Sequence, residues 1–575
     1  MPFAAEIART GSVTFFHHTE TVFTNWFYPQ NSELLHGIAI ALTGHDFLSI
    51  FLNLGWLGLA LLGGWCVGRP FGRPHLTLIA VAIVLATHTL VVREPGTGKN
   101  DVVAIALTVA AVAILFNRSS GPKNGFGRIG PGWAVGVAGL AVGLAAGTKV
   151  TTLAPAAMIT FAVLVAAAHG QRLRTIGIWL GAALAGGGWW YLRNLIASGN
   201  PLPQVESIGP LGLPGPERLQ EGRPDFSVFH YVTDTGVWSD YFLPGLEQGF
   251  GKLWPLMLVL AVGGVIAIIF RGPGRLTRAH GAAALIALLA YLVTPLSAAG
   301  PEGHPTAFAI NLRFLTPALA MAIVMIPLLP WFSDRRKLRS ALAVLLAVLF
   351  LVTWSEHPPT STSGAAFGIF LALLTVALPG GAWLLRGRLP TVRLAAPVVA
   401  VLAAGALFIV AGWPLSQGYF DNRYRDFEPA AGLSEPFRWA GDTRDARIGL
   451  AGTTAGFKQF GFYGSDLSNR VIYLGRESPA GGFDAIGTCG EFVRTVNAAS
   501  LDFLVTSPHL SFLDYENPER SPEEAWVEGD PSLEPVVADG PIKVWRVDGR
   551  LDPGRCDRLG PGEEYVPGLK AGRGR

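Results

Sequence analysis

Four cations stand at or near the ends of long apolar runs, where a charged side chain is costly and is commonly retained for a function. They are Lys99, Lys149, Arg193 and Arg313. An Arg guanidinium offers a planar fork to phosphate oxygens and a Lys ammonium offers a point charge. We predict that these four residues bind a phosphate group. The alternative is that they only extend towards water from the ends of helices.

Two acidic residues in the same parts of the chain could act as a general base. Asp101 opens an apolar run directly after Lys99-Asn100, although a carboxylate in the first turn also caps a helix. Glu33 lies in the stretch Tyr28 to Leu35. The pair His17-His18 is more typical of a plain surface than of a metal site. We predict no specific metal ligand and leave open a divalent cation held by carboxylates.

The elements that must position these residues are membrane helices. Half of the 575 residues are hydrophobic and only 15% are charged, against roughly 25% in soluble proteins. A run of about 20 apolar residues crosses the hydrocarbon layer as a helix. Twelve such segments are predicted: 47–67, 76–92, 101–116, 132–147, 151–169, 175–192, 253–270, 281–298, 308–331, 341–354, 365–385 and 394–413.

The charges of the connecting loops predict an orientation. One alternate set of loops contains seventeen Lys and Arg residues, whereas the short loops of the other set contain only Arg93, Lys99 and Lys149. The basic set is expected to be cytoplasmic. The long segments 1–46, 193–252 and 414–575 are then outside, as expected for a multi-pass protein of the plasma membrane. The net charge of +3 does not suggest a nucleic-acid partner.

An even number of spans places both chain ends on one side, and the first 46 residues would have to cross the membrane without a preceding span. We therefore predict that a thirteenth, upstream span precedes Met1. The alternative is an N-terminus that lies outside without one. On the first hypothesis, residues 1–46 form the first outer loop with amphipathic helices, and 47–413 form the transmembrane domain.

After Trp413 the pattern becomes that of a small α/β domain with a partly parallel sheet. Strands are predicted at 447–452, 471–475, 502–506 and, as an edge strand, at 543–547, with a helix at 491–499. No catalytic group is evident in this domain. Cys489 and Cys556 both fall within it, and a disulfide is predicted if the domain lies outside the cytoplasm. Two unpaired buried thiols are the alternative.

Five stretches of the chain resemble a known family. They are Tyr28-Pro29-Gln30-Asn31-Ser32-Glu33-Leu34-Leu35, Lys99-Asn100-Asp101, Gly143 to Lys149, Trp190-Tyr191-Leu192-Arg193-Asn194 and Asn311-Leu312-Arg313-Phe314. The family they resemble is that of the polyprenyl-phosphate-sugar-dependent glycosyltransferases of the multi-spanning membrane fold. The relatives include protein O-mannosyltransferases, the lipid A aminoarabinose transferase and mycobacterial arabinosyltransferases.

The resemblance implies an inverting transfer of a sugar from a polyprenyl-phosphate donor to a glycan, lipid or protein acceptor outside the cytoplasm. It implies that Lys149, Arg193 and Arg313 hold the donor phosphate and that Asp101 matches the second acidic position of the family. The first acidic position, the expected catalytic Asp, would precede Met1, so the chain as given is expected to be inactive if that residue is essential.

Two other classes of function compete with the enzyme. A transporter or flippase for a lipid-linked substrate is expected to show internal repeats and charges near the membrane midplane, and neither is evident. A catalytically inactive membrane scaffold is the other alternative. High Ala, Gly and Arg content with few Lys indicates a GC-rich bacterial genome, in which a role in the cell envelope or cell wall is expected.

Overall fold

The computed structural model describes residues 1–559, with gaps at 15–16, 22–24, 92–93, 95–98, 120–128, 209, 217–225, 357–361, 385–411, 422, 426–431 and 510–520. Most of the described chain is helical. Helices of the first part are Pro2–Thr10, Asn31–Thr43, Leu48–Gly68, Pro74–Leu85, His88–Val91, Asp101–Ser119, Trp133–Ala146, Leu153–Ala166 and Arg172–Ser198. They continue as Thr235–Val237, Leu243–Phe250, Trp254–Arg271, Arg275–Ala290, Phe308–Asn311, Thr316–Ile323, Trp331–Asp334, Arg336–Glu356 and Thr362–Leu384.

Several of these helices are long and apolar enough to cross a membrane, and the chain is in this sense a polytopic membrane protein. Five pass on length and composition among the described residues: Leu48–Phe71, Asp101–Arg118, Trp254–Arg271, Arg275–Val293 and Arg336–Glu356. A sixth is the pair Phe308–Phe314 and Thr316–Leu328, bent by 57°. Shorter apolar helices are Pro74–Leu85, Trp133–Ala146, Val150–Ala166 and Ala365–Ala377.

The predicted segments up to residue 385 each coincide with a helix or with consecutive helices, but some bounds differ. The segment predicted at 281–298 begins at Arg275 and its last helical turn ends at Val293. The segment predicted at 308–331 is interrupted, because Thr316-Pro317 begins a new helix after the turn at Leu312–Phe314. The segment predicted at 394–413 lies almost wholly outside the described residues.

A glycine seam joins the helices Trp133–Ala146 and Arg172–Ser198. A Cβ atom added at Gly143 would overlap the carbonyl of Ala183, and one added at Gly187 would overlap the carbonyl of Gly143. Only glycine permits two helix backbones to approach so closely. The predicted stretch Gly143 to Lys149 therefore has a packing role: it brings the end of one helix against the next.

The C-terminal residues contain a five-stranded mixed sheet. In chain order the strands are β1 Ser207–Ile208, β2 Leu211–Gly212, β3 Arg447–Ala451, β4 Arg470–Tyr473, β5 Arg476–Ser478, β6 Gly482–Asp484, β7 Phe503–Thr506, β8 Leu533–Val537 and β9 Lys543–Val547. Strand β3 pairs in parallel with β4 and β7, and β9 is antiparallel to β7 and β8. The helices of this part are Ser434–Asp442, Thr453–Phe457, Cys489–Ala499, Pro522–Val527 and Gly554–Leu559.

The prediction of an edge strand at 543–547 is wrong. Strand β9 lies inside the sheet, with Trp545 opposite Leu504 on one side and opposite Pro535 on the other. Strand β8 takes the edge, where Pro535 is tolerated because a proline has no N–H to donate to a further strand. Alternation alone misled the prediction, since β8 itself has no regular alternation of buried and exposed residues.

Cys489 and Cys556 form a disulfide, with their Cα atoms 5.6 Å apart. The bridge ties the first turn of the helix Cys489–Ala499 to the helix Gly554–Leu559, near the end of the described chain. Both cysteines pack against the apolar residues between the sheet and these helices. The third cysteine, Cys66, is a free thiol.

Reduction of this disulfide is expected to destabilise the C-terminal sheet. The cysteines are 67 positions apart, and a loop of that size gives a stabilisation of about 2–4 kcal/mol in most proteins. Thermal unfolding of the full chain in detergent, with and without a reductant, measures the effect. The reductant should not affect a Cys489→Ala, Cys556→Ala double variant, and Cys66→Ser should behave as wild type. If the unfolding temperature of the wild type is the same with and without the reductant, the prediction is contradicted.

Candidate phosphate-binding site

The site is built where several helix ends meet, and Asn31 is the residue that joins them. Its backbone N–H donates to the carbonyl of Gly147 at 2.8 Å, and its side-chain amide donates to the carbonyls of Leu144 and Gly186 at 3.2 and 2.7 Å. Its side-chain oxygen accepts from the indole of Trp190 at 2.8 Å. Carbonyls at a helix C-terminus have no partner in their own helix. Asn31 supplies one for Gly147, and its side-chain bonds link three of the stretches that carry the family resemblance.

A second asparagine fixes the neighbouring helix start. The side-chain amide of Asn100 donates to the carbonyl of Thr148 at 3.1 Å. This bond holds the beginning of the helix Asp101–Ser119 against the turn that contains Lys149. Asn31 and Asn100 could not be recognised as positioning residues from the sequence, because their partners lie 48 to 159 positions away along the chain.

Lys149 and Asp101 form a buried ion pair at this junction. The Lys149 side chain is 13% exposed and that of Asp101 is 3% exposed. The Lys149 ammonium also lies over the ring of Phe314, 5.3 Å from its centroid, and the Arg313 guanidinium lies 5.4 Å from the centroid of the same ring. Phe314 thus places two of the predicted phosphate-binding cations next to each other.

Glu94 and Lys99 complete a group that we call the charged cluster: Glu94, Lys99, Asp101, Lys149 and Arg313. Glu94 interacts electrostatically with all three cations of the cluster. Burial raises the pKa of Glu94 above its ordinary value of 4.5, although the three cations oppose that shift. Burial, together with the charge of Arg313, lowers the pKa of Lys149 well below 10.5. Glu94 was missed in the sequence because it lies in a loop without a recognisable motif.

Arg193 has a different environment from the other three predicted cations. Its guanidinium packs between the rings of Trp26 and Trp190, at 4.2 and 5.2 Å from their centroids, and donates to the carbonyl of Trp26. The imidazole of His18 stacks on Trp26 at 5.6 Å and on Phe483 at 4.6 Å. Among the described residues, these contacts of Arg193 therefore tie the first loop to a helix end and not to the charged cluster.

Glu33, the second predicted base, also lies apart from these contacts. Its carboxylate is buried, and the charged group that acts on it is the amino group of Met1. Burial raises the pKa of Glu33 above 4.5. His18 is half-buried between its aromatic neighbours, while His17 is exposed. Within the described residues, no group of three His, Cys, Asp or Glu side chains is arranged to hold a metal ion.

Removing Asp101 is expected to destabilise the protein strongly, because Lys149 would be left as a buried charge without its partner. The substitution Asp101→Ala should cost about 3–5 kcal/mol, whereas a double replacement by Asp101→Leu and Lys149→Met should recover most of that loss. Thermal unfolding in detergent measures both.

A matched control is Asp421→Ala, which removes the exposed pair between Asp421 and Arg425. That change should alter stability by less than about 0.5 kcal/mol. Equal effects of the two single substitutions would contradict a buried ion pair at Asp101.

Comparisons with solved structures give similar proteins over nearly the whole chain. One is ArnT from Cupriavidus metallidurans bound to undecaprenyl phosphate, with a TM-score of 0.49 and 12% identity, covering 95% of this chain and 92% of that chain. Another is the archaeal oligosaccharyltransferase AglB from Archaeoglobus fulgidus in complex with an inhibitory peptide and a dolichol-phosphate. Its TM-score is 0.39 and its identity 11%, and the match covers 88% of this chain and 65% of that chain. No family model and no curated protein matches the chain.

Proposed function

We propose that the chain is an integral membrane glycosyltransferase that moves a sugar from a polyprenyl-phosphate carrier to an acceptor outside the cytoplasm, with inversion at the anomeric carbon. The observation that carries this proposal is the charged cluster. Three cations meet two carboxylates where apolar helices end. This is the level at which the phosphate of a membrane lipid lies when its tail is in the hydrocarbon layer.

The net charge of the cluster suits a phosphate group whose own charge differs before and after the sugar is transferred. With both carboxylates ionised, three cations and two anions leave a net charge of +1, which matches the single charge of a phosphodiester donor. When the sugar leaves, the carrier becomes a monoester with a charge of about −1.5 to −2 at neutral pH. Protonation of Glu94 would raise the net charge of the cluster to +2. The raised pKa of Glu94 lowers the free-energy cost of this protonation.

The residues of the cluster take different parts in this mechanism. Arg313 and Lys99 contact the phosphate, and Lys149 does so while Asp101 holds its ammonium in place. A carboxylate already paired with an ammonium is a weak base, so the pair favours a positioning role for Asp101. In the transfer itself, the acceptor hydroxyl oxygen bonds to the anomeric carbon, its proton passes to a carboxylate, and the bond to the lipid phosphate breaks. Glu33 remains the candidate base within the chain.

Two features support an outside location for residues 414–575. The loop charges place these residues opposite the basic loops. The Cys489–Cys556 disulfide is of the kind that persists in oxidising compartments and is rare in the cytosol. We accordingly place the protein in the plasma membrane with this part outside, where it can meet a cell-envelope acceptor.

Replacing Arg313 is expected to weaken binding of undecaprenyl phosphate by about 100-fold, since a charge-assisted hydrogen bond to phosphate contributes up to about 3 kcal/mol. Binding to the full chain in detergent, measured by microscale thermophoresis, compares Arg313→Ala with Arg271→Ala. Arg271 is an exposed Arg at the end of the helix Trp254–Arg271. The control should bind as wild type. Equal affinity of wild type and Arg313→Ala would contradict the proposed site.

Binding of the same lipid is expected to depend on the protonation of Glu94. Because burial raises its pKa, Glu94 is neutral below that pKa and ionised above it, so affinity should fall as the pH rises through the pKa. Glu94→Gln mimics the neutral form of Glu94. At a pH above the pKa of Glu94, this variant should bind the lipid about tenfold more tightly than the wild type does.

The lipid phosphate titrates as well, and its contribution is common to all variants. The difference between wild type and Glu94→Gln therefore reports the Glu94 carboxyl group together with its effect on the neighbouring Lys149, whose pKa Glu94 raises. Glu247→Gln, at an exposed position, serves as the control and should follow the wild-type curve. Parallel pH curves for wild type and Glu94→Gln would show that Glu94 does not act on the bound phosphate.

A further inference from the structure

A cavity of about 840 Å³ lies at the junction between the first helices, residues 412–421 and 423–425, and the C-terminal sheet region. Its walls come from all three parts. They include His45, Gln417, Phe420, Tyr424, Arg438 and Asp442. None of these residues belongs to the charged cluster, and the proposed transfer of a sugar from the lipid carrier does not use them.

A buried ion pair fixes one wall of the cavity. The Asp46 carboxylate is fully buried and accepts hydrogen bonds from the hydroxyls of Tyr419 and Tyr424 at 2.9 and 3.2 Å, and from Arg423. The Arg423 guanidinium lies over the rings of Tyr419 and Phe460, 4.0 Å from each centroid. Asp46 comes just before the helix Leu48–Gly68, and Phe460 belongs to the C-terminal part. This network therefore holds the parts of the cavity together.

The network determines the position of the aromatic side chains that face the cavity. Tyr424 is held by its hydroxyl, and the Phe420 ring packs against it at a centroid distance of 6.1 Å and a tilt of 31°. The His45 imidazole lies edge-on to Phe420 at 6.3 Å and contacts the Asp46 carboxylate at 3.1 Å. A wall whose rotamers are fixed in advance lowers the entropy cost of binding a ligand.

The chemistry of the lining distinguishes between classes of ligand. A lipid tail needs a continuous apolar lining, but Gln417, Arg438 and Asp442 interrupt it. A polyanion needs an excess of cations, but Asp442 opposes Arg438, and Arg425 is already paired with Asp421 at 3.1 Å. A sugar presents apolar C–H faces and a ring of hydroxyls. Aromatic rings pack against the apolar C–H faces, and amide, carboxylate and guanidinium groups form hydrogen bonds with the hydroxyls.

We propose that this cavity binds an oligosaccharide and is the site at which a glycan acceptor is held. Its volume falls within the range of about 300–1,000 Å³ that is typical of sites for small molecules. The assignment to an acceptor rests on the proposed glycosyltransferase function, whereas the binding of a glycan rests on the cavity alone. The cavity would recognise sugar units at a distance from the charged cluster.

The test uses the full chain in detergent and a panel of short oligosaccharides of mannose, arabinose, galactose and glucose, with binding followed by saturation-transfer NMR. We expect at least one of them to bind saturably. Gln417→Trp fills the cavity from an exposed helical position, and Arg438→Glu reverses a charge on its wall. Each should weaken that binding by about tenfold or more. Arg494→Glu changes an exposed Arg that does not line the cavity and should have no effect.

Binding of undecaprenyl phosphate to the same samples verifies that the variants are folded and separates the two proposals. If that lipid binds and no oligosaccharide does, or if Gln417→Trp and Arg438→Glu leave oligosaccharide binding unchanged, the glycan site is overturned and the proposed function stands. If an oligosaccharide binds in the cavity but the lipid phosphate does not bind, the glycan site is supported and the proposed glycosyltransferase fails.

Discussion

The burial of the Lys149 ammonium is the constraint on which the arrangement of this end of the molecule depends. A cation with a 13% exposed side chain must be compensated within a few ångströms, because the surrounding helices are apolar. Asp101 provides that compensation, and Phe314 provides a ring face for the same ammonium. Since Asp101 begins one helix and Lys149 lies in the turn between two others, the ion pair also specifies how that helix start meets the turn.

Close approach of backbones makes this meeting possible. The glycine seam lets two helices touch along Gly143 and Gly187, and Asn31 then bonds to carbonyls of both. The backbone N–H of Asn31 supplies the Gly147 carbonyl with a partner that the helix itself does not provide, and a backbone oxygen without a partner is costly inside an apolar bundle. The motif stretches therefore serve two purposes at once. Their Gly and Asn residues build the junction, and their cations and Asp101 give it charge.

Helices and strands could be located from the sequence where their formation depends on one segment of the chain alone. Long apolar runs predicted where helices lie, because crossing a hydrocarbon layer requires length and composition that no neighbour can supply. Short apolar runs located strands as well: those predicted at 447–452 and 502–506 are observed at Arg447–Ala451 and Phe503–Thr506. The strand at 543–547 was predicted as well, but its predicted position at the edge of the sheet was wrong. Whether a strand lies at an edge depends on the other segments of the chain, and here β8 takes the edge position next to β9.

Pairings between distant residues could not be predicted in the same way. Arg193 stacks on Trp26, 167 positions away, and Asp46 meets Arg423 across 377 positions. Hydropathy and loop charge contain no information about which helix ends become neighbours. The four cations looked equivalent in the sequence, since each lies at or near the end of an apolar run. The structure separates them: Lys99, Lys149 and Arg313 share the influence of Glu94, whereas aromatic rings enclose Arg193.

One helix relates the charged cluster to the glycan cavity. The helix Asn31–Thr43 begins at the residue that bonds to Gly147, two positions before Lys149, and ends two positions before His45. Its 13 residues span about 20 Å at 1.5 Å per residue. His36, in the middle, is buried and bonds to Ser49 at 2.9 Å, which holds this helix against the next. An acceptor seated in the cavity would therefore have to extend across roughly that length to bring a hydroxyl to the lipid phosphate. A chain-like glycan can do so and a monosaccharide cannot, so the separation of the two sites is itself a reason to expect an extended acceptor.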